Sequence, residues 1–332
     1  MSYSLNITLE SYMHNILIKL INIAIIVFLL AACTPEPEKK ITIAISPWPG
    51  YEFLYLAEKK GFFKQVGLNI SLVQMGALAD SQRAYVNGHV DGMASTIIEA
   101  VQAEPLGGKS LKIVLVPDYS NGGDVIVTNK SIKDIVSLKG RNVGCEVSSL
   151  GIYILERALA KHSLKLTDVS VRNVEQLDGR EYLLKQEIDA FVTYPPVSVE
   201  ILKNSKYHAI FSSSEIPYEI IDTVSISNEV LQENPDLIPR LHQAWQMAID
   251  YSITNEHDAY SLMAKREGIS VEDFKEAISG LKLQDSQGQK ELFSAPDKLQ
   301  KSVERVCNTL VHVDALTTDC SQYPDIIYRG LF

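Results

Sequence analysis

The chain has 332 residues, 46% of them hydrophobic, and a formal net charge of -10. That length and apolar content supply more core than one compact unit usually holds. The acidic balance excludes the basic footprint of a nucleic-acid binder and a polybasic membrane patch.

The leader comes first. Residues 16–32 are strongly apolar, broken only by Lys19 and Asn22, and run into Leu30-Ala31-Ala32-Cys33. Such a stretch ending in small residues describes an export signal. The unbroken part, residues 23–32, is short for a bilayer span, which takes roughly 20 residues. An uncleaved anchor helix is the competing reading, and both place the remaining chain outside the cytoplasm. Leu30-Ala31-Ala32-Cys33 resembles the lipobox of bacterial lipoproteins. That resemblance implies cleavage of residues 1–32 as a signal peptide and acylation of Cys33. Residues 1–12 carry Glu10 and no Lys or Arg, so translation is expected to begin at Met13. Residues 33–40 hold two prolines and four charges, which suits a tether between lipid and domain.

A run of strands alternating with helices follows. Strands are expected at 41–45, 69–74, 91–94 and 112–116, with helices at 51–60, 78–87 and 96–104. Alternation of this kind implies a parallel sheet with crossovers. The pattern restarts with strands at 124–128, 142–146, 168–173 and 190–192. A short helix is expected to begin at 132–135, a turn at 138–140, and longer helices at 150–161 and 176–186. Strands at 208–211 and 223–227 bring the chain back. The remainder reads as helices at 236–254, 257–267, 271–279 and 297–310. The expected fold is therefore α/β with two doubly wound lobes. Residues 41–117 and 223–332 form lobe 1, and residues 124–211 form lobe 2. Crossings at 118–123 and 212–222 serve as hinges. Ligands of open α/β sheets sit beyond the carboxyl ends of strands, so the site is expected in the cleft between the lobes.

Several motifs occur in order along this framework. They are Ile45-Ser46-Pro47-Trp48-Pro49-Gly50-Tyr51 with residues 54–63, then Asn87-Gly88-His89-Val90-Asp91-Gly92. Leu138-Lys139-Gly140-Arg141-Asn142-Val143-Gly144 and Glu187-Ile188-Asp189-Ala190-Phe191 follow. Each is weak alone. In this order and behind a lipobox, they resemble the nitrate/sulfonate/taurine-type solute-binding proteins of ABC importers, a family that also takes thiamine-pyrimidine precursors. The resemblance covers residue 41 to the C terminus. It implies a two-lobed periplasmic-binding fold of type II, acting as a monomer, that closes on a small molecule and passes it to a permease with its ATPase. Related thiamine-pyrimidine synthases share the fold but carry a cysteine-rich motif that this sequence lacks. A sensing lipoprotein is a further alternative.

Candidate ligand residues follow strands. Trp48 and Tyr51 come after the first strand, where an indole face can hold a cation or a planar ring. Ser95-Thr96 and Ser148-Ser149 begin helices, where hydroxyls cap and free N–H groups attract anions. Asp118 and Asp124 flank the first crossing, whose Gly122-Gly123 suits a hinge. Glu146 precedes the second serine pair, and Tyr194 follows a strand of lobe 2. Each has a bland reading: Trp48 as a lobe plug, the serines as caps, the acids as turn residues. Glu99 leans towards a solvated surface. Exchange of Trp48 or Asp124 is expected to weaken binding while barely changing stability.

Acids suit an amine or cationic ring, and helix-start serines suit an anionic group. An aminosulfonate satisfies both, whereas an aminopyrimidine uses the aromatics and acids. The seven His do not cluster, no metal spacing or catalytic array emerges, and no cofactor is expected. Cys145 sits in an apolar strand and reads as a small buried residue. Cys307 and Cys320 form no CxxC pair. In an oxidising compartment they can join as a disulfide or stay reduced.

Overall fold

A computed structural model describes residues 40–295, 297–320 and 325–330. The leader, the Cys33 acylation site and most of the tether lie outside these residues. The first lobe's sheet holds β1 (Ile41–Ile45), β2 (Ile70–Gln74), β3 (Gly92–Thr96) and β4 (Leu111–Leu115). A short β5 (Asp118–Ser120) leads to the second sheet. That sheet holds β6 (Val125–Asn129), β7 (Asn142–Cys145), β8 (Ser170–Asn173), β9 (Ala190–Thr193) and β10 (Tyr207–Ser212). The chain then returns through β11 (Asp222–Ser227) and later makes β12 (Leu281–Leu283).

Strand order is β2-β1-β3-β11-β4 in one sheet and β10-β6-β9-β7-β8 in the other, with β12-β5 as a separate pair. In the first sheet β1 runs parallel to β2 and β3, while the returning β11 is antiparallel to β3 and β4. The second repeats that plan: β7 is parallel to β8 and β9, and β6 is antiparallel to β9. Central strands of such sheets are covered on both faces. Accordingly every residue of β3 and β11 is buried, whereas the edge strand β8 is largely exposed.

Local chemistry sets the connections. The Pro47–Gly50 break turns the chain after β1, and Tyr51 N–H closes the turn by donating to the Trp48 carbonyl at 2.9 Å. The helix Glu52–Lys59 then buries Phe53, Leu54, Leu56 and Ala57. It stops just before Gly61, whose φ of 73° a side chain would disfavour. The two crossings lie side by side. The hydroxyls of Ser120 and Ser213 are 2.7 Å apart, and Gly122 N–H donates to Ser213 Oγ at 2.7 Å. The rings of Tyr119 and Tyr218 stack 4.7 Å apart across the same junction.

The structure also corrects several expected elements. The helix expected to begin at 132–135 is instead a 3₁₀ turn at Val136–Leu138. The β5–β12 pair and the helix Ser286–Ser294 were not anticipated. A three-residue strand carries no usable periodicity, and its partner lies some 160 residues away. The last helix runs Asp297–His312, and its Cys307 is joined to Cys320 by a disulfide. Cys145 is a buried free thiol.

Candidate functional site

Loops at the strand ends of both lobes converge on a tightly closed gap, too narrow to admit a water molecule, lined by Trp48, Leu78, Asp124, Leu150, Tyr194, Ile220 and Asp222. Trp48 enters from the turn after β1 and Tyr194 from the end of β9, so the aromatic walls come from different sheets. Their rings meet edge to face at 6.0 Å, and Trp48 also lies 6.5 Å from Tyr51. Leu78 N–H, at the start of a first-lobe helix, reaches the Tyr194 hydroxyl at 3.4 Å.

Acidic side chains fill the gaps between these rings. Asp118 accepts from Trp48 Nε1 at 3.3 Å, and Asp222 accepts from the Tyr51 hydroxyl. Asp124 is fully buried, and neither of its carboxyl oxygens has a hydrogen-bond partner among the described residues. Single oxygens of Asp118 and Asp222 and both of Glu146 share that condition. Close approach is built in at Gly50, where a Cβ would fall 1.8 Å from Asp118 Oδ2. Gly123 is equally constrained, since a Cβ there would stand 2.9 Å from the Trp48 ring.

A carboxylate removed from water and given no counter-charge favours its protonated form. Burial is the main cause here: it pushes Asp118 and Asp124 up to about 7 and Glu146 up to about 8. The charge of Glu99 adds to the shift at Asp124 and Glu146. Asp222 is raised well above the ordinary range by burial and by the neighbouring Asp118. Acids raised in the folded state bind more protons there than when unfolded. Their stabilising effect is therefore complete below about pH 4 and lost as pH rises through about 7. The ligand-free protein is expected to melt at a lower temperature at pH 8 than at pH 5.5, measured by calorimetry at constant ionic strength. Equal melting temperatures would show that the cluster is compensated in solution.

At the first helix-start site Thr96 caps its helix, its Oγ1 accepting from Ile98 N–H at 3.1 Å. Ser95 Oγ turns back to the Thr96 carbonyl at 3.2 Å, and Thr96 Oγ1 donates to Glu99 at 2.6 Å. Ser148 is exposed and lies away from the enclosed space, while Ser149 is buried and donates to Glu99 Oε1 at 2.6 Å. Glu99 is thus no surface residue; it is fully buried and joins the two lobes. Of the candidates, Trp48, Asp124 and Tyr194 line one space, and Tyr51 and Asp118 stand behind it in contact with Asp222 and Trp48. Glu146 is buried nearby, and its charge acts on Tyr194. Asp222 and Glu99 were missed as site members. Asp222 sits opposite Thr96 in the β11–β3 register, and only the returning strand brings it there. Among the described residues, no group of three His, Cys, Asp or Glu is arranged to hold a metal ion.

Comparisons with known proteins agree with this architecture. A family model described as NMT1/THI5 like matches residues 48–259. A protein of Brucella abortus (strain 2308), provisionally named a binding protein, is 25% identical over 239 residues, 67% of this chain and 69% of its own. A 4-amino-5-hydroxymethyl-2-methylpyrimidine phosphate synthase of Saccharomyces cerevisiae is 21% identical over 242 residues, covering 67% of this chain and 69% of its own. Among solved structures, the alkanesulfonate-binding protein of Xanthomonas axonopodis pv. citri bound to MOPS superposes with a TM-score of 0.72 at 13% identity, over 88% of this chain and 98% of its own. The fold is that of the periplasmic solute-binding proteins.

Proposed function

We propose that this chain, which belongs to the NMT1/THI5-like family, is the solute-binding subunit of an ABC importer and holds a small planar amine between its lobes. The ligand class is aminopyrimidine-like. One observation carries the choice: Asp124 is fully buried with both oxygens unpartnered, in a space walled by Trp48 and Tyr194. A carboxyl group can accept a hydrogen bond from an exocyclic amine and share a proton with the adjacent ring nitrogen. Asp118 and Asp222 offer further acceptors, and the rings offer flat apolar faces. A ligand of this kind supplies the positive or donating groups that the site lacks.

Binding rather than catalysis fits the chemistry. Cys145 is buried in β7, its thiol is pushed up to about 12 mainly by burial, and it stands apart from any other free thiol among the described residues. Such a thiol is a poor nucleophile. The export leader and the lipobox support a lipid-anchored protein on the extracytoplasmic side, acylated at Cys33. In this reading the chain works as a monomer beside a permease and its ATPase. Closure about the 118–123 and 212–222 crossings commits the ligand, since a molecule that touches both lobes stabilises the closed form.

The ligand class is tested by titration calorimetry of the purified protein with 4-amino-5-hydroxymethyl-2-methylpyrimidine, taurine, ethanesulfonate and nitrate. The pyrimidine is expected to bind near micromolar, about 8 kcal/mol of binding free energy. The purely anionic ligands are expected to be at least about a hundredfold weaker, because each would enter beside unpaired carboxylates. Tight ethanesulfonate or nitrate binding with none by the pyrimidine would overturn the reading, and tight taurine binding would move it to aminosulfonates.

A further inference from the structure

The amino end of the helix Leu150–Lys161 lies at the edge of the cleft, where N–H groups without partners inside the helix carry partial positive charge. In this chain an internal anion already occupies that end. Glu99 reaches across from the helix Ile97–Ala103 of the other lobe. Its Oε1 accepts from Leu150 N–H at 2.9 Å and from Ser149 Oγ at 2.6 Å. Its Oε2 accepts from Thr96 N–H at 2.9 Å and Thr96 Oγ1 at 2.6 Å. Four donors therefore converge on one buried carboxylate, two from each lobe. A second observation ties this point to the ligand space: Leu150 lines it beside Asp124, whose buried oxygens are unpartnered.

We propose that Glu99 sets the ligand specificity of the cleft by filling, with the chain's own carboxylate, a place where donors from both lobes would otherwise accept an anionic ligand group. The donors around Glu99 Oε1 and Oε2 are the set that a sulfonate or phosphate oxygen would need. While Glu99 holds them, an incoming anion meets both its volume and its charge. The same charge adds to the desolvation that keeps protons on Asp124 and Glu146. The cleft therefore rejects anions and retains acceptors for an amine. Shortening Glu99 frees the donors and exposes an anion site that bridges both lobes. This inference deepens the amine-binding proposal and rests on the same cleft being the ligand site.

The test is calorimetric titration of ethanesulfonate into the wild type, Glu99→Ala and Glu99→Ser, with 4-amino-5-hydroxymethyl-2-methylpyrimidine as a separate arm. Glu99→Ser keeps a hydroxyl in the first turn of its helix. The wild type is expected to give no measurable ethanesulfonate binding, and both variants to bind it at least about tenfold more tightly than the wild type. Folded variants that gain nothing, or a wild type that binds ethanesulfonate as well as they do, would overturn the proposal. If the variants unfold on purification, 100 mM sulfate is expected to restore their cooperative melting by replacing the missing carboxylate. Failure of sulfate to do so also overturns it. The arms separate the two claims. A wild type that ignores the pyrimidine, beside variants that gain ethanesulfonate, would remove the amine reading and keep the role of Glu99. Pyrimidine binding by the wild type without any gain by the variants would do the reverse.

Discussion

Asp124→Asn is expected to stabilise the ligand-free protein at pH 8 while removing most of its affinity for an amine ligand. The carboxyl group of Asp124 is fully buried, has no hydrogen-bond partner among the described residues, and is pushed up from 3.8 to about 7 chiefly by burial. Above pH 7 the folded protein must carry this charge without compensation. A shift of this size corresponds to about 4 kcal/mol by linkage, and relaxation of the site would reduce it to about 2 kcal/mol or more. Asn removes the charge and keeps the shape. The gain in melting temperature should be largest at pH 8 and shrink to a small remainder near pH 4, close to the ordinary carboxylate value of 3.8, below which Asp124 is protonated in both the folded and unfolded states. Affinity for the amine should fall about thirtyfold or more, as for a charged anchor in a closed pocket. This revises the expectation that stability would barely change. Melting curves at pH 4 and pH 8, with titration at pH 8, check both parts. A lower melting temperature at pH 8 would mean that Asp124 has a stabilising partner in solution.

Trp48→Ala is expected to cost both stability and binding. Trp48 is 4% exposed, packs against Tyr51 and Tyr194, lies over Gly123 and donates to Asp118. Truncation empties that volume and leaves Asp118 with no donor for Oδ2, which together cost about 3–5 kcal/mol. Plug and ligand wall are not exclusive readings: the ring is packed as a plug, and in the proposed site the same ring would also face the ligand. Trp48→Phe separates the two effects. It keeps most of the packing and loses the Nε1–H donor, so most of the stability should return while binding stays impaired. Fluorescence offers a second readout, since the chain has only two Trp and Trp245 lies in the core. A ligand-induced emission change should be present in the wild type and absent in Trp48→Phe. Full stability and unchanged affinity in Trp48→Ala would remove Trp48 from the site.

Much of this protein was legible in its amino-acid order. The two α/β runs, the return strand β11 and most helix limits follow from apolar periodicity, from the Pro47–Gly50 turn and from glycines such as Gly61 and Gly88 at helix ends. Those signals act over a few residues, so a linear reading captures them. The sequence also marked Trp48, Tyr51, Asp118, Asp124 and Tyr194 as candidates, because each follows or flanks a strand end. What it left open was which of them share a space and which groups are already satisfied. Ser148 and Ser149 are neighbours, yet one is exposed and the other is buried against Glu99. Glu99 looked like a surface acid because its partners Ser149 and Leu150 lie some 50 residues further along the chain, in the other lobe. Asp222 was passed over for the same reason: its place beside Thr96 depends on an antiparallel strand arriving from the second crossing. Periodicity and turn chemistry are local properties, so the order of residues determined the lobes and strand-end loops. Burial, pairing and the charge of the cleft are sums over elements distant in sequence, and only the packing of one lobe on the other decided them.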